Sequence, residues 1–209
     1  MIFLTSSVGS VATHLYKNFL ADKGFISVLF IDTAAEPEIG NGEDDGWLQN
    51  DLQSLRDQGY RVDRYTITGK ERGEIERKLD EYDVIYMSGG NTAYLLDQLQ
   101  KTNSFTLIKE KVGHGKPYIA TSAGSIIAGP RIPEYLREGE PALDDYTAFG
   151  FVNFVVAPHW GSDIFRDEYI GGRIETAYRL DQPPYVLLND MQYIFVNDDG
   201  LVRIVETKP

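Results

Sequence analysis

The strongest constraint this chain places on its own fold is an alternation of short apolar or β-branched runs with amphipathic stretches of helical period. Strands are expected over Met1–Thr5, Ile26–Ile31 and Arg61–Thr66, with helices near Val11–Asp22, over Trp47–Gln58 and over Lys70–Tyr82. In the last of these, Ile75, Leu79 and Tyr82 fall on one helical side among charged residues, the pattern of a surface helix that covers a sheet. Buried strands joined by helices make a mostly parallel, doubly wound sheet flanked by helices, because parallel neighbours need a crossover and each sheet face needs cover. Further on, Phe154–Ala157 reads as a strand, Phe165–Tyr178 as mostly helix, and Tyr185–Leu188, Tyr193–Val196 and Val202–Val205 as strands. Asn197-Asp198-Asp199-Gly200 is a turn sequence between the last two, so a C-terminal β-hairpin is expected. With 209 residues and 42% hydrophobic content, one α/β domain over 1–209 is expected.

Two of the apolar runs end in turns able to carry chemistry. Pro117-Tyr118-Ile119-Ala120-Thr121 stops at Ser122-Ala123-Gly124, where small neighbours let the backbone bend and leave a serine oxygen exposed above the sheet edge. Ser122 is therefore the candidate nucleophile; the plainer alternative is a strand followed by a serine helix cap. Val84-Ile85-Tyr86-Met87 runs into Ser88-Gly89-Gly90-Asn91 and then a helical stretch over Thr92–Gln100. A glycine turn at that edge frees N–H groups for an oxyanion or carboxylate, so the Gly90 and Ala123 amides are the candidate oxyanion donors. A short helix is expected from Gly124 to Ala128, broken by Gly129-Pro130, followed by an irregular loop over Arg131–Asp145 beside the site.

A serine hydroxyl needs a base within hydrogen-bond reach, and the chain offers three histidines. His14 lies in an early helical pattern and His114 in a glycine turn. His159 directly follows the apolar Val155-Val156-Ala157 and Pro158, which places it at a strand's C-terminal end and makes it the candidate base.

The strand ending in Gly-Gly-Asn-Thr, the Ser122-Ala123-Gly124 turn and the later Ala157-Pro158-His159 together resemble peptidase E, the aspartyl dipeptidase group of serine peptidases. The resemblance implies a class I glutamine-amidotransferase-like fold and hydrolysis of Asp-X dipeptides through an acyl-enzyme, without metal or organic cofactor. It also implies a triad acid at one of two places. The family position between nucleophile and histidine falls on Arg137 without gaps, on Glu138 after a one-residue shift, and Glu134 is near; a second, on the late turn before the hairpin, falls on Asp190. An arginine that receives the substrate's carboxylate is matched by Arg173, or by Arg166 if the preceding loop is shorter. Two other readings share the scaffold: a cyanophycinase-like hydrolase of β-linked aspartyl peptides, and a non-catalytic protein that grips a small carboxylate.

The chain has no cysteine, which removes disulfides, thiolate metal sites and the nucleophile that class I glutamine amidotransferases use. A net charge of −12, with its densest run at Glu43-Asp44-Asp45, argues against nucleic acid, and an anionic substrate has to meet a local arginine or backbone donors. No apolar run has the length of a membrane span, and the opening residues lack a basic leader and signal core, so no membrane partner and a cytoplasmic location are expected. Trp47, Tyr86 and the tyrosine-rich surface leave a homodimer as a possible assembly.

Overall fold

The computed structural model describes residues 1–137, 141–179 and 181–207. The strands are β1 (Ile2–Thr5), β2 (Ser27–Ile31), β3 (Arg61–Tyr65), β4 (Val84–Met87), β5 (Tyr118–Thr121), β6 (Val155–Pro158), β7 (Tyr185–Leu188), β8 (Gln192–Val196) and β9 (Val202–Glu206). The helices are α1 (Val8–Leu15), α2 (Glu36–Gly40), α3 (Gly46–Arg56), α4 (Arg72–Glu81), α5 (Thr92–Lys101), α6 (Ser104–Gly113), α7 (Ala123–Ile126), α8 (Arg166–Glu168) and α9 (Ile174–Ala177).

Seven strands form one sheet in the order β3-β2-β4-β5-β1-β8-β9. The first five in that order are parallel; β8 joins β1 antiparallel and β9 completes the hairpin, with Val196 opposite Val202. Every residue of β2, β4 and β5 is buried, as expected where helices cover both faces. Side chains therefore sort by parity: Leu29, Ile31, Ile85, Met87, Tyr118 and Ala120 pack with α4, α5 and α6, while Val28, Phe30, Val84, Tyr86 and Ile119 pack with α1 and α3. The outer strand β3 carries exposed Arg61, Asp63 and Arg64, charges that discourage a further strand from adding to that edge.

β6 and β7 lie outside the large sheet and pair parallel to each other as a separate two-stranded unit, Val155 opposite Tyr185 through Pro158 opposite Leu188. Two expectations need correction. The first helix starts earlier, at Val8, and after Leu15 loosens into a π-type turn over Tyr16–Leu20. The stretch from Phe165 to Tyr178 is broken: α8 and α9 flank a π-type turn, Tyr169–Arg173, which contains Gly171 and Gly172. Two adjacent glycines explain this, since each adds backbone entropy that a continuous helix has to overcome.

Candidate active site

The end of β5 is held in an unusual backbone conformation. Ser122 has φ +48° and ψ −107°, outside the regions ordinary residues occupy, and such strain persists only where neighbours enforce it. The neighbours are visible. Ser122 donates its N–H to the Thr5 carbonyl of β1, and Gly124 donates to the Ser88 carbonyl after β4. A Cβ on Gly124 would lie 2.3 Å from the Met87 carbonyl oxygen, so only glycine lets α7 start this close to β4. Gly90, at φ +120°, is equally confined: a Cβ there would lie 2.2 Å from the Ala34 carbonyl oxygen, to which Asn91 also donates.

These bonds account for most of the amides in the two turns. The Ser88, Asn91, Ser122 and Gly124 amides all donate to carbonyls, while among the described residues the Gly89, Gly90 and Ala123 amides have no protein acceptor. The Asn91 side chain caps α5 by accepting from the Tyr94 amide at 2.8 Å, which fixes the glycine turn at its far end.

His159 arrives from the other sheet. It follows β6 and also has a left-handed backbone, φ +64°. Its Nε2 lies 3.1 Å from Ser122 Oγ, and its Nδ1 lies 2.9 Å from Asp190 Oδ1, which follows β7. An ionised carboxylate accepts only, so Nδ1 carries the proton toward Asp190 and Nε2 is left to accept from the serine hydroxyl. The hydrogen bond from His159 holds the Asp190 carboxyl below the usual carboxylate range, helped by a bond from Ser6 and by the histidine's charge, against the opposing effect of partial burial. The Phe165 ring lies on the imidazole, centroids 4.4 Å apart and planes 11° from parallel, covering one face of the base.

Asp190, one of the two candidate acids, lies beside His159, and the other, Glu138, lies outside the described residues. Glu134 faces elsewhere, accepting from Arg179 at 2.6 Å and from Gln182 at 3.1 Å. His14 Nδ1 is hydrogen-bonded to the Tyr193 hydroxyl at 2.9 Å, and exposed His114 ends α6; neither joins the site. Arg173 lies against Phe165, its guanidinium carbon 5.5 Å from that ring's centroid, among Tyr135 and Tyr169, and it pairs with Glu168. Arg166 is exposed and lines an open cleft of about 350 Å³ with Trp160, Tyr169 and Ile170.

Two residues in this region escape sequence reasoning. Ser6 Oγ donates to Asp190 Oδ1 and accepts from the His159 amide at 2.7 Å; its only sequence signal is a serine just past the first strand, as Ser122 is just past β5. Asp51 of α3 is buried, accepting from the Tyr86 hydroxyl at 2.7 Å and the Gly9 amide at 3.0 Å. Burial pushes its carboxyl up to about 6, partly offset by Tyr86, Gly9, Thr121 and the charge of His159. Nothing in an amphipathic helix pattern distinguishes that aspartate from a solvated one.

A model of peptidase family S51 matches residues 2–204. The chain belongs to that family. It is 33% identical over 206 residues to an uncharacterized peptidase of Listeria monocytogenes, covering 96% of each chain. It is 30% identical over 207 residues to an uncharacterized peptidase of Pasteurella multocida, covering 97% of this chain and 96% of that protein. Peptidase E of Haemophilus influenzae is 36% identical over 116 residues, 56% of this chain and 50% of that one. A solved structure described as a candidate peptidase E from Listeria monocytogenes EGD-e superposes with a TM-score of 0.83 at 28% identity, over 99% of this chain and 98% of the other. The S51 chain is thus a peptidase by family, and its mostly parallel mixed sheet with a C-terminal hairpin is the fold of that relative. Among its described residues no helix is long and apolar enough to cross a membrane.

Proposed function

We propose that this S51 chain is a serine-type exopeptidase acting on short peptides with a free amino terminus, with Ser122 as nucleophile, His159 as base and Asp190 as the orienting acid. The observation that carries the reading is the unbroken relay from Ser122 Oγ through His159 to Asp190, at 3.1 and 2.9 Å, built on a nucleophile turn with φ +48°. In the acylation step Ser122 Oγ bonds to the scissile carbonyl carbon as its proton passes to Nε2 of His159. The developing oxyanion is met by the Gly90 and Ala123 amides, each such donor being worth about 3 kcal/mol in the transition state. His159 then gives the proton to the departing amine, leaving an ester on Ser122. Water attacks that ester with His159 again as base, releasing the acid and restoring the serine. Asp190 keeps the imidazole in the required tautomer and stabilises the imidazolium formed in both steps.

For the substrate, we infer that an Asp-X dipeptide is bound with its side-chain carboxylate on Arg173. Arg173 is favoured over exposed Arg166 because it is largely enclosed and lies against Phe165, the ring stacked on the base. A substrate carboxylate would have to replace Glu168 there, so the preference for Asp-X over Asn-X measures how readily that exchange occurs. A fluorophosphonate probe tests the mechanism: a single adduct at Ser122, absent in His159→Ala, is expected, and an unlabelled wild-type protein would refute the serine reading. Kinetics on Asp-X, Asn-X and acetyl-blocked Asp-X test the substrate. Rapid cleavage of the blocked peptide would remove the exopeptidase claim, and equal rates on Asp-X and Asn-X the aspartyl one.

A further inference from the structure

The proposed nucleophile and its two partners stand on different sheets. Ser122 follows β5 of the large sheet, whereas His159 and Asp190 follow β6 and β7 of the small one. A relay of hydrogen bonds tolerates little relative displacement, since a shift of about 1 Å at a reacting group costs on the order of 100-fold in rate. Something has to hold the two sheets in register at this point.

Ser6 is in the position to do so. Thr5 pairs with Thr121 in the parallel register of β1 and β5, and Ser122 donates its amide to the Thr5 carbonyl, so Ser6 is the residue beside Ser122 on the neighbouring strand. It is fully buried. From there its hydroxyl reaches both members of the other sheet: Oγ accepts from the His159 amide at 2.7 Å and donates to Asp190 Oδ1, the same oxygen that takes the His159 Nδ1 proton, and it lies 3.2 Å from Nδ1 itself. The amide it accepts belongs to a residue with φ +64°, a conformation disfavoured for any side chain with a Cβ. One hydroxyl therefore uses its donor and an acceptor site to tie the backbone of the base and the side chain of the acid to the strand next to the nucleophile.

We propose that Ser6 is a positioning residue of this active site, the hydroxyl that locks the His159–Asp190 pair of the small sheet onto the nucleophile strand of the large one. It touches no reacting atom and acts only through His159 and Asp190. The proposal rests on the serine-peptidase reading above, and its test separates the two. The rate of phosphonylation by a fluorophosphonate is followed in the wild type, Ser6→Ala, and the isosteric pair Ser6→Thr and Ser6→Val, together with kcat and KM on a cleaved dipeptide. Wild-type protein that is never labelled would defeat the serine reading, and Ser6 with it. With the wild type labelled, Ser6→Ala is expected to react about tenfold more slowly, about 1.4 kcal/mol, with kcat lowered and KM unchanged, and Thr is expected to exceed Val because it keeps the hydroxyl. Ala within about twofold of wild type, or Thr and Val alike, would overturn the proposal. A readout on the wild type alone guards against variants that do not fold: the His159 amide should be protected from hydrogen exchange at the level of the β1 and β5 amides. Fast exchange of that amide would show that Ser6 does not hold it, whatever the variants do.

Discussion

Left-handed backbone at Ser122 and His159, where Asn103 is the other non-glycine example among the described residues, puts two of these three conformations on adjacent members of one relay. Strain of this kind costs on the order of 1–3 kcal/mol per residue and is retained where the surroundings over-determine it. Removing the hydroxyl at the first of these positions is the plainest test: Ser122→Ala should lower kcat by at least about a thousandfold, with an unchanged melting temperature. His159→Ala should match it, and the double variant should be no worse than either, because members of a unit are not additive. An additive double variant would mean that the two residues act separately. Asp190→Asn should also depress kcat steeply by favouring the wrong imidazole tautomer. Because the Asp190 carboxyl is held below its ordinary range, its interaction with His159 is complete above that range and is lost only as the pH falls through the depressed value. The pH profile of kcat should therefore carry no ionisation of Asp190 above the ordinary carboxylate range, and an acid limb shifted there by Asp190→Asn would contradict this.

At the scale of elements, the site depends on backbones that approach more closely than a methyl group allows. Gly90→Ala would drive a Cβ against the Ala34 carbonyl at 2.2 Å in a φ of +120°, whereas Gly171→Ala meets nothing within 4 Å. The first should cost at least about 2 kcal/mol in urea unfolding and the second well under half of that; equal costs would show that the Gly90 turn is not confined. A second element-level feature is the buried carboxylate that joins α3 to α1. Asp51 accepts from Gly9 and Tyr86, yet burial raises its carboxyl from an ordinary value of 3.8 to about 6. A carboxyl raised on folding takes up a proton between those two values, so its protonated form favours the fold and its ionised form weighs against it as the pH rises through about 6. Asp51→Asn keeps an acceptor for Gly9 and should be more stable than the wild type at pH values above that range, by on the order of 3 kcal/mol, with the gain disappearing below the ordinary carboxylate range. A constant difference at every pH would mean that Asp51 ionises normally.

For the whole molecule, the net charge of −12 sets a field against which an acidic peptide must approach. Raising the ionic strength from about 0.01 M to about 0.15 M shortens the screening length from roughly 30 to 8 Å. It should therefore raise kcat/KM for Asp-X several-fold while leaving an uncharged dipeptide nearly unaffected. A parallel response of both substrates would show that the field at the site differs from that of the molecule as a whole. The architecture explains why the site is at this place: β4, β5 and β1 deliver their C-terminal ends side by side, and the small sheet brings β6 and β7 to the same edge.

Much of this was legible in the chain by itself, because it depends on local chemistry. The strand–helix alternation specifies the parallel sheet, since the period of apolar residues decides which face each element buries. Ser122, His159 and the Gly89-Gly90 turn stand out because each follows an apolar run and occupies a strand end. What sequence could not decide is contact between residues far apart in the chain. Asp190 and Glu138 were equivalent as carboxylates until the pairing of β6 with β7 set Asp190 beside His159. The break between α8 and α9 is a contest between helix propensity and packing around Gly171 and Gly172, which pattern alone does not resolve. Ser6 is the extreme case, an ordinary hydroxyl in the sequence whose partners lie 153 and 184 residues away. Hydrogen bonds over such separations exist only once two sheets are packed together, so the tertiary structure alone could reveal them.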